Sequence, residues 1–156
     1  MRRSERAVTD IEGLREILDT CKVVRLGLHD GGNIYLVPMN FGYEMDEDGA
    51  LTLYMHGSRE GKKADLIRAC GSAAFEMDCG HGLVEGETAC SYSYTYASIT
   101  GMGYAEMVED PEEKKRALEV LMQCQTGRSF TFTEGMASSV AVIRLRVSSY
   151  TGKKRA

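Results

Sequence analysis

The 156-residue sequence has no C-x-x-C pair, no long apolar run and no surplus of positive charge. Its five cysteines, Cys21, Cys70, Cys79, Cys90 and Cys124, are odd in number and scattered. That argues against a zinc knuckle or a thioredoxin-like motif and for reduced, partly buried thiols. Cys79 and His81 lie near Cys90 without a matching second pair of ligands, so no metal site is expected. With no stretch of about 20 apolar residues, no segment reads as a membrane-spanning helix. The arginines at the N-terminus are not followed by an apolar h-region, which excludes a signal peptide and makes the cytoplasm the expected location. A net charge of −4 argues against general affinity for nucleic acid or anionic membranes. The basic ends, Met1-Arg2-Arg3 and Lys153-Lys154-Arg155, read as solvated termini. No G-x-G-x-x-G follows a strand, so a Rossmann dinucleotide site is not indicated, and G-x-S-x-G is absent too. There is no internal repeat and no linker. Residues 1–156 are expected to form one domain with a core of its own.

What is present alternates. Thr9-Asp10-Ile11-Glu12 has the capping-box pattern, and Ile11, Leu14, Ile17, Leu18 and Cys21 recur at helical spacing, which predicts a helix from about Asp10 to Thr20. Residues 22–29 alternate with Val24, Leu26 and Leu28 on one face. Asp30-Gly31-Gly32-Asn33 is a hairpin signal, and the return strand runs from Ile34 to about Met45. Pro38 inside it cannot donate to a ladder, so it marks an edge or a bulge. A turn at Asp46 to Gly49 leads to a third strand, Leu51 to His56, and a helix then extends to about Ala69. Ser72 to Cys79 reads as the fourth strand, Gly80 to Cys90 as a loop, and Ser91 to Val108 as a long strand bent near Gly101 and Gly103. Asp110-Pro111-Glu112-Glu113 is a strong helix start. Gly127 to Ser138 reads as an irregular link, and Val140 to Val147 is the last strand. Strands joined by tight turns imply an antiparallel sheet with flanking helices, most economically closed into a small barrel.

One stretch breaks the local rules. His56-Gly57-Ser58-Arg59-Glu60-Gly61-Lys62-Lys63 joins the third strand to its helix, and it sets two lysines in the helix's first turns. The helix N-terminus carries partial positive charge and unpaired N–H groups, so lysines there have the wrong sign unless an anion such as a phosphate sits among them. The alternative is a solvated pair balanced by Glu60 and Asp65. Spacing alone leaves both open. His56, just before the turn, is placed either to move a proton near neutral pH or only to hydrogen-bond the loop. Tyr92, Tyr94 and Tyr96 either cover a barrel face or a dimer interface, or line the substrate side of a bound cofactor.

Four segments carry a resemblance. They are Val37-Pro38-Met39-Asn40-Phe41-Gly42-Tyr43; Leu53-Tyr54-Met55-His56 with Glu60-Gly61-Lys62-Lys63; Leu83 to Cys90 leading into Tyr96-Ala97-Ser98-Ile99-Thr100-Gly101-Met102-Gly103; and Val142-Ile143-Arg144 with Thr151-Gly152-Lys153. On these the chain resembles the FMN-binding split-barrel proteins related to pyridoxamine 5′-phosphate oxidase, and among them looks most like the Nim-type 5-nitroimidazole resistance proteins. The resemblance implies a homodimer of antiparallel split β-barrels with FMN at the subunit interface. It implies that Val37, Pro38, Met39 and Asn40 lie along the flavin ring, that Lys62 and Lys63 hold its phosphate, and that His56 stands near it as the catalytic candidate. It makes Ser98 a candidate flavin contact, by its position in the third segment only. Relatives commonly have Ser after the histidine and Arg before the last lysine; this chain has Gly57 and Lys62. The implied activity is reduction of a nitroaromatic or similar small electron acceptor, with NAD(P)H as donor. The alternative is a flavin or haem binding protein or sensor of the same fold without turnover. Oxidation of pyridoxamine phosphate is not expected, because the arginine-rich substrate-phosphate site which that chemistry needs is not found.

Overall fold

The computed structural model describes residues 3–156; the expectation for Met1 and Arg2 lies outside the described residues. The described residues form eight strands and four α-helices: β1 (Ala7–Val8), α1 (Ile11–Thr20), β2 (Val23–Asp30), β3 (Asn33–Asn40), β4 (Gly42–Met45), β5 (Leu51–Gly57), α2 (Lys62–Ala69), β6 (Ser72–Val84), β7 (Ser93–Met107), α3 (Pro111–Thr126), α4 (Glu134–Ser138) and β8 (Ala141–Arg155). The strands make one sheet in the order β3-β2-β6-β7-β8-β5-β4, with β1 added to β8. Every recorded pairing is antiparallel.

The alternation read from the sequence sets the faces. Val24, Leu26, Leu28, Leu53, Met55, Phe75, Met77, Ile99, Ile143 and Leu145 all point into one core, since successive strand residues face opposite ways. Leu14, Ile17 and Leu18 of α1 close that core. A second, smaller core lies behind β5 and β8, where Tyr54 and Val142 meet Ala117 and Leu118 of α3 and Ala137 of α4. The strands β5 and β8 are therefore buried on both faces at that end.

The closed barrel is corrected to an open one. The sheet's two edge strands, β3 and β4, are consecutive in the chain, yet β3 pairs only with β2 and β4 only with β5. The expected single return strand breaks at Phe41. Gln125 of α3 donates its side-chain N–H to the Phe41 carbonyl at 2.8 Å and to that of Lys22 at 3.1 Å, so the Phe41 carbonyl has a partner outside any ladder. At Gly42 the α3 backbone comes so close that an added Cβ would stand 2.5 Å from the Leu121 Cα. The result is the antiparallel split barrel that the four segments imply.

Three other boundaries shift. The cap of α1 is Asp10, one residue later than the Thr9 box, its carboxylate accepting from the Gly13 N–H at 2.7 Å. Gly80 to Val84 is strand rather than loop: Gly80 has φ 69° at a break in register between Cys79 and Gly82, after which β6 resumes its pairing with β7. The last strand runs on to Arg155 through a bulge opposite Met102 and Gly103. Its basic end is therefore not a free terminus; Lys154 pairs with Glu16 at 3.3 Å. Asp30 and Asn33 pair across a two-residue turn as expected, with Gly31 at φ 60°.

Candidate functional site at the open edge

The open edge places an unpaired strand beside a basic helix start. As an edge strand, β3 presents backbone N–H and C=O groups that β2 does not use, and Pro38 sits in it opposite Arg25. This is the edge position that proline tolerates. Of the four residues expected along the flavin, Met39 is buried, Val37 is half-buried, and Pro38 and Asn40 are exposed. The Asn40 amide donates to the Lys22 carbonyl at 3.0 Å.

The start of α2 lies across from this strand. Three of the four α-helices are capped by a side chain: Asp10, Asp110 and Thr133 each accept a first-turn N–H. Helix α2 has none. It opens on Gly61 at φ 114°, a conformation that favours glycine, and no side chain accepts from its first turn. A Cβ at Gly61 would meet nothing within 4 Å, so it is the backbone conformation and not crowding that favours glycine there.

The two lysines that follow diverge. Lys62 Nζ is 2.5 Å from Asp30 Oδ2 and 5.2 Å from the centre of the Tyr35 ring. The hydrogen bond to Asp30, then its charge, push the Lys62 pKa up. Lys63 turns the other way: a Cβ on Gly57 would be 2.8 Å from Lys63 Nζ and 3.7 Å from Met39 Cε. Residues of β3, β5 and α2 thus share one small space, and the Lys63 ammonium fills the ground that a side chain at Gly57 would take. Among the described residues Lys63 has no carboxylate partner within 4.0 Å, in contrast to Lys62.

His56 is exposed and pairs across the sheet with Val142. Neighbouring strand residues point to opposite faces, so His56 projects from the face of β5 opposite the one covered by Lys63 at Gly57. Ser98 lies elsewhere. It stands between Asp78 of β6 and Lys153 of β8, eleven residues along β8 from the Val142 that pairs with His56. At about 3.3 Å per residue that is roughly 36 Å of strand. A single subunit does not bring Ser98 to the lysines. Its surroundings are a closed polar group: Arg25 Nη1 bonds Asp78 at 2.7 Å and Glu76 at 3.0 Å, and His81 meets Asp78 at 2.8 Å. Burial alone would raise the Asp78 pKa, but the hydrogen bonds from Arg25 and His81 outweigh it and hold the carboxyl below its ordinary value. Of the tyrosines, Tyr94 is exposed and Tyr96 half-buried on β7, while Tyr92 precedes the strand.

Reasoning from sequence missed Asp30, Tyr35, Arg59 and Arg68. The first two reach Lys62 from the β2–β3 hairpin, a contact that no local pattern encodes. Arg68 donates to the Arg59 carbonyl at 3.2 Å and so ties the end of α2 to the turn before it. The signal for Arg59 was its place inside a turn already singled out for its charge.

A family model described as pyridoxamine 5′-phosphate oxidase matches residues 10–154. Among solved structures, the chain is similar to a protein from Bacteroides thetaiotaomicron provisionally described as a 5-nitroimidazole antibiotic resistance protein. The two are 34% identical over 95% of this chain and 86% of that one, with a TM-score of 0.80. It shares its fold with the flavocytochrome Anf3 from Azotobacter vinelandii, at 22% identity over 100% of this chain and 72% of that one and a TM-score of 0.81. It also shares the fold of an FAD and heme binding protein from Mycobacterium smegmatis, at 21% identity over 96% and 73% of the two chains and a TM-score of 0.81. No curated protein matches.

Proposed function

The chain belongs to the family described as pyridoxamine 5′-phosphate oxidase, and from that premise we propose that it is a cytoplasmic, homodimeric FMN-binding protein that reduces nitroaromatic or similar small acceptors. The observation that carries this reading is the start of α2, uncapped, opening on Gly61 and followed by two lysines beside an edge strand. That donor set fits a phosphate. No side chain caps the first-turn N–H groups, Lys63 is a cation without a carboxylate among the described residues, and Lys62 can exchange Asp30 for a second anion. Backbone groups of Val37 to Asn40 supply hydrogen-bonding edges for a planar ring, as an unpaired strand does. FMN supplies electron and hydride transfer when bound; the protein's part is binding, orientation and electrostatics. His56 is exposed at the end of β5 on the face opposite the Lys63 ammonium, so in this reading it donates a proton to an acceptor that reaches that face. The 34% identical relative and its description support the choice of acceptor.

A second copy completes the site in this reading. The outer face of the sheet carries an apolar band in which Ile34 is 76%, Leu36 64%, Met102 58% and Tyr104 58% exposed. The pairing register lines up Leu36, Gly27, Ala74 and Met102 in one row across four strands. No helix covers that row among the described residues. Ser98 stands on the same face, so a two-fold partner can carry it toward the other subunit's lysines. Symmetric pairing of this kind is the commonest form of assembly.

The test is the absorption spectrum of the purified chain. Flavin bands that NAD(P)H bleaches and a nitroimidazole restores support the reading. A Soret band without flavin bands overturns it in favour of a haem protein of this fold. Light scattering tests the dimer: a monomer that holds FMN tightly contradicts it.

A further inference from the structure

Arg59, Arg68 and Lys114 line one cavity of about 230 Å³ between α2, α3, α4 and the start of β8. Arg25, Lys62, Lys115, Arg116, Arg144, Arg146 and Lys154 each have a carboxylate within 4.0 Å. Arg59, Arg68 and Lys114 have none among the described residues, as is also true of Lys63, Arg15 and Lys22, but only these three line one cavity together. Each is held by a backbone carbonyl instead. Arg59 donates to Ser138 at 3.3 Å, Arg68 to Arg59 at 3.2 Å and Lys114 to Val140 at 2.8 Å. A carbonyl fixes where the charge points without neutralising it.

Two carboxylates, Glu109 and Glu134, also border the cavity. Neither comes within ion-pair distance of the three cations, and Glu134 acts on Lys115. The lining therefore carries three positive and two negative groups, and one negative charge balances it. Its lining is mainly polar: Val108 and Val142 are nearly buried, and Met107, Pro111 and Val140 add a smaller apolar part. Two guanidinium groups beside one cavity suit a carboxylate. The volume lies below the roughly 300–1,000 Å³ of drug-sized ligand pockets, so the occupant is small. Neither lysine of the α2 start lines this cavity, nor does His56.

We infer that the cavity between α2, α3 and α4 binds a small organic monoanion, its carboxylate toward Arg59 and Arg68. The site is separate from the cradle proposed for FMN and is formed whether or not flavin is present.

Calorimetric titration of the full chain with benzoate, and with benzamide as a neutral analogue of the same shape, tests this. Benzoate should bind one per chain and at least tenfold more tightly than benzamide. The Arg59→Gln/Arg68→Gln variant should lose at least tenfold in benzoate affinity while its unfolding midpoint stays close to that of the unaltered protein. Saturating FMN should leave benzoate binding in place. Equal affinity for benzoate and benzamide, no saturable benzoate binding, or unchanged affinity in the double variant would each overturn the inference. Loss of benzoate binding when FMN is added would also overturn it, because the cavity would then belong to the flavin site. If the variant does not fold, the comparison of benzoate with benzamide on the unaltered chain decides. Failure of FMN to bind at all would sink the proposed function and leave this site standing.

Discussion

Two corners of the molecule turn a strand into a helix, and they are built on opposite plans. At the first, β5 ends in His56-Gly57 and α2 begins on uncapped Gly61 with Lys62 and Lys63. At the second, β7 ends in Glu106-Met107, and α3 begins on Asp110, whose carboxylate accepts the Glu113 N–H at 3.0 Å, with Pro111, Glu112 and Glu113 in the first turn. The second corner follows every local preference of a helix start. Its charges are matched as well: Glu106 with Arg144 and Arg146, Glu112 with Lys115, and Glu113 with Arg144. The first corner departs from them. The penultimate strand residue is a histidine without a side-chain hydrogen bond among the described residues, no side chain caps the helix, and its first turn carries two lysines against one acid, Asp65. Where neighbouring parts of one chain obey and break the same rules, in the proposed reading the breach is the site and the obedience is scaffold.

The largest effect should come from the histidine. His56→Gln keeps much of the shape and hydrogen bonding. It should lower kcat/KM for nitro-reduction about a hundredfold, the scale of general acid–base help and about 2.7 kcal/mol at the transition state. FMN affinity should change far less. Equal rates and equal pH profiles in the two proteins would make His56 part of the scaffold and narrow the contrast to the lysines.

The lysines come next. Replacing both Lys62 and Lys63 with alanine should weaken FMN binding at least tenfold, about 1.4 kcal/mol, and the loss should shrink in high salt. Thermal stability should hardly move, because the Lys62–Asp30 pair is exposed, and such pairs add about 0–1 kcal/mol. An unaltered FMN titration in the folded double variant would remove the phosphate site from this corner.

The two corners were not equally legible. The second was written in full by Asp110-Pro111-Glu112-Glu113, because capping is a local affair. The first showed its lysines and glycine, yet Lys62's partner Asp30 lies 32 residues away in another hairpin. The same distinction runs through the fold. Buried faces followed from alternation, but the break at Phe41 was hidden: Met39, Phe41 and Tyr43 keep the period of two straight across it. Its cause is Gln125, far along the chain, with Gly42 as the sole local hint of a close approach. At Gly80-His81-Gly82 the error ran the other way. Glycines that read as loop make only a bulge, and Thr95 donates to the Gly80 carbonyl at 2.8 Å to bridge it.

At the second corner the effects should fall on stability and not on flavin. Asp110→Ala removes the cap of α3 and should cost about 1 kcal/mol of folding free energy, read as a lower midpoint in chemical denaturation. FMN affinity should stay where it was. A clear drop in flavin affinity would mean that α3 belongs to the site and that the two corners are not separate in function.

The smallest effect concerns Glu106, the counterpart of His56. Burial alone would raise its pKa, but hydrogen bonds from Arg144 at 2.9 Å and Arg146 at 2.8 Å outweigh that and hold the carboxyl below its ordinary value. A carboxylate whose pKa is depressed by folding stabilises the protein above its unfolded pKa, about 4.3. That contribution is lost as the pH falls through the lower folded value. Glu106→Gln should therefore make the unfolding midpoint less steep in acid, with a loss near neutral pH of roughly 0.2–1 kcal/mol, the scale of partly exposed ion pairs. The acid limb should flatten without vanishing, because Asp78 is depressed in the same sense by Arg25 and His81. His56→Gln offers the matching control. With no side-chain hydrogen bond to lose among the described residues, it should alter the rate and leave the unfolding midpoint near neutral pH close to that of the unaltered protein. If Glu106→Gln instead lowered turnover and left the acid limb as steep as before, the carboxylate would belong to the reaction and the second corner could no longer be read as scaffold.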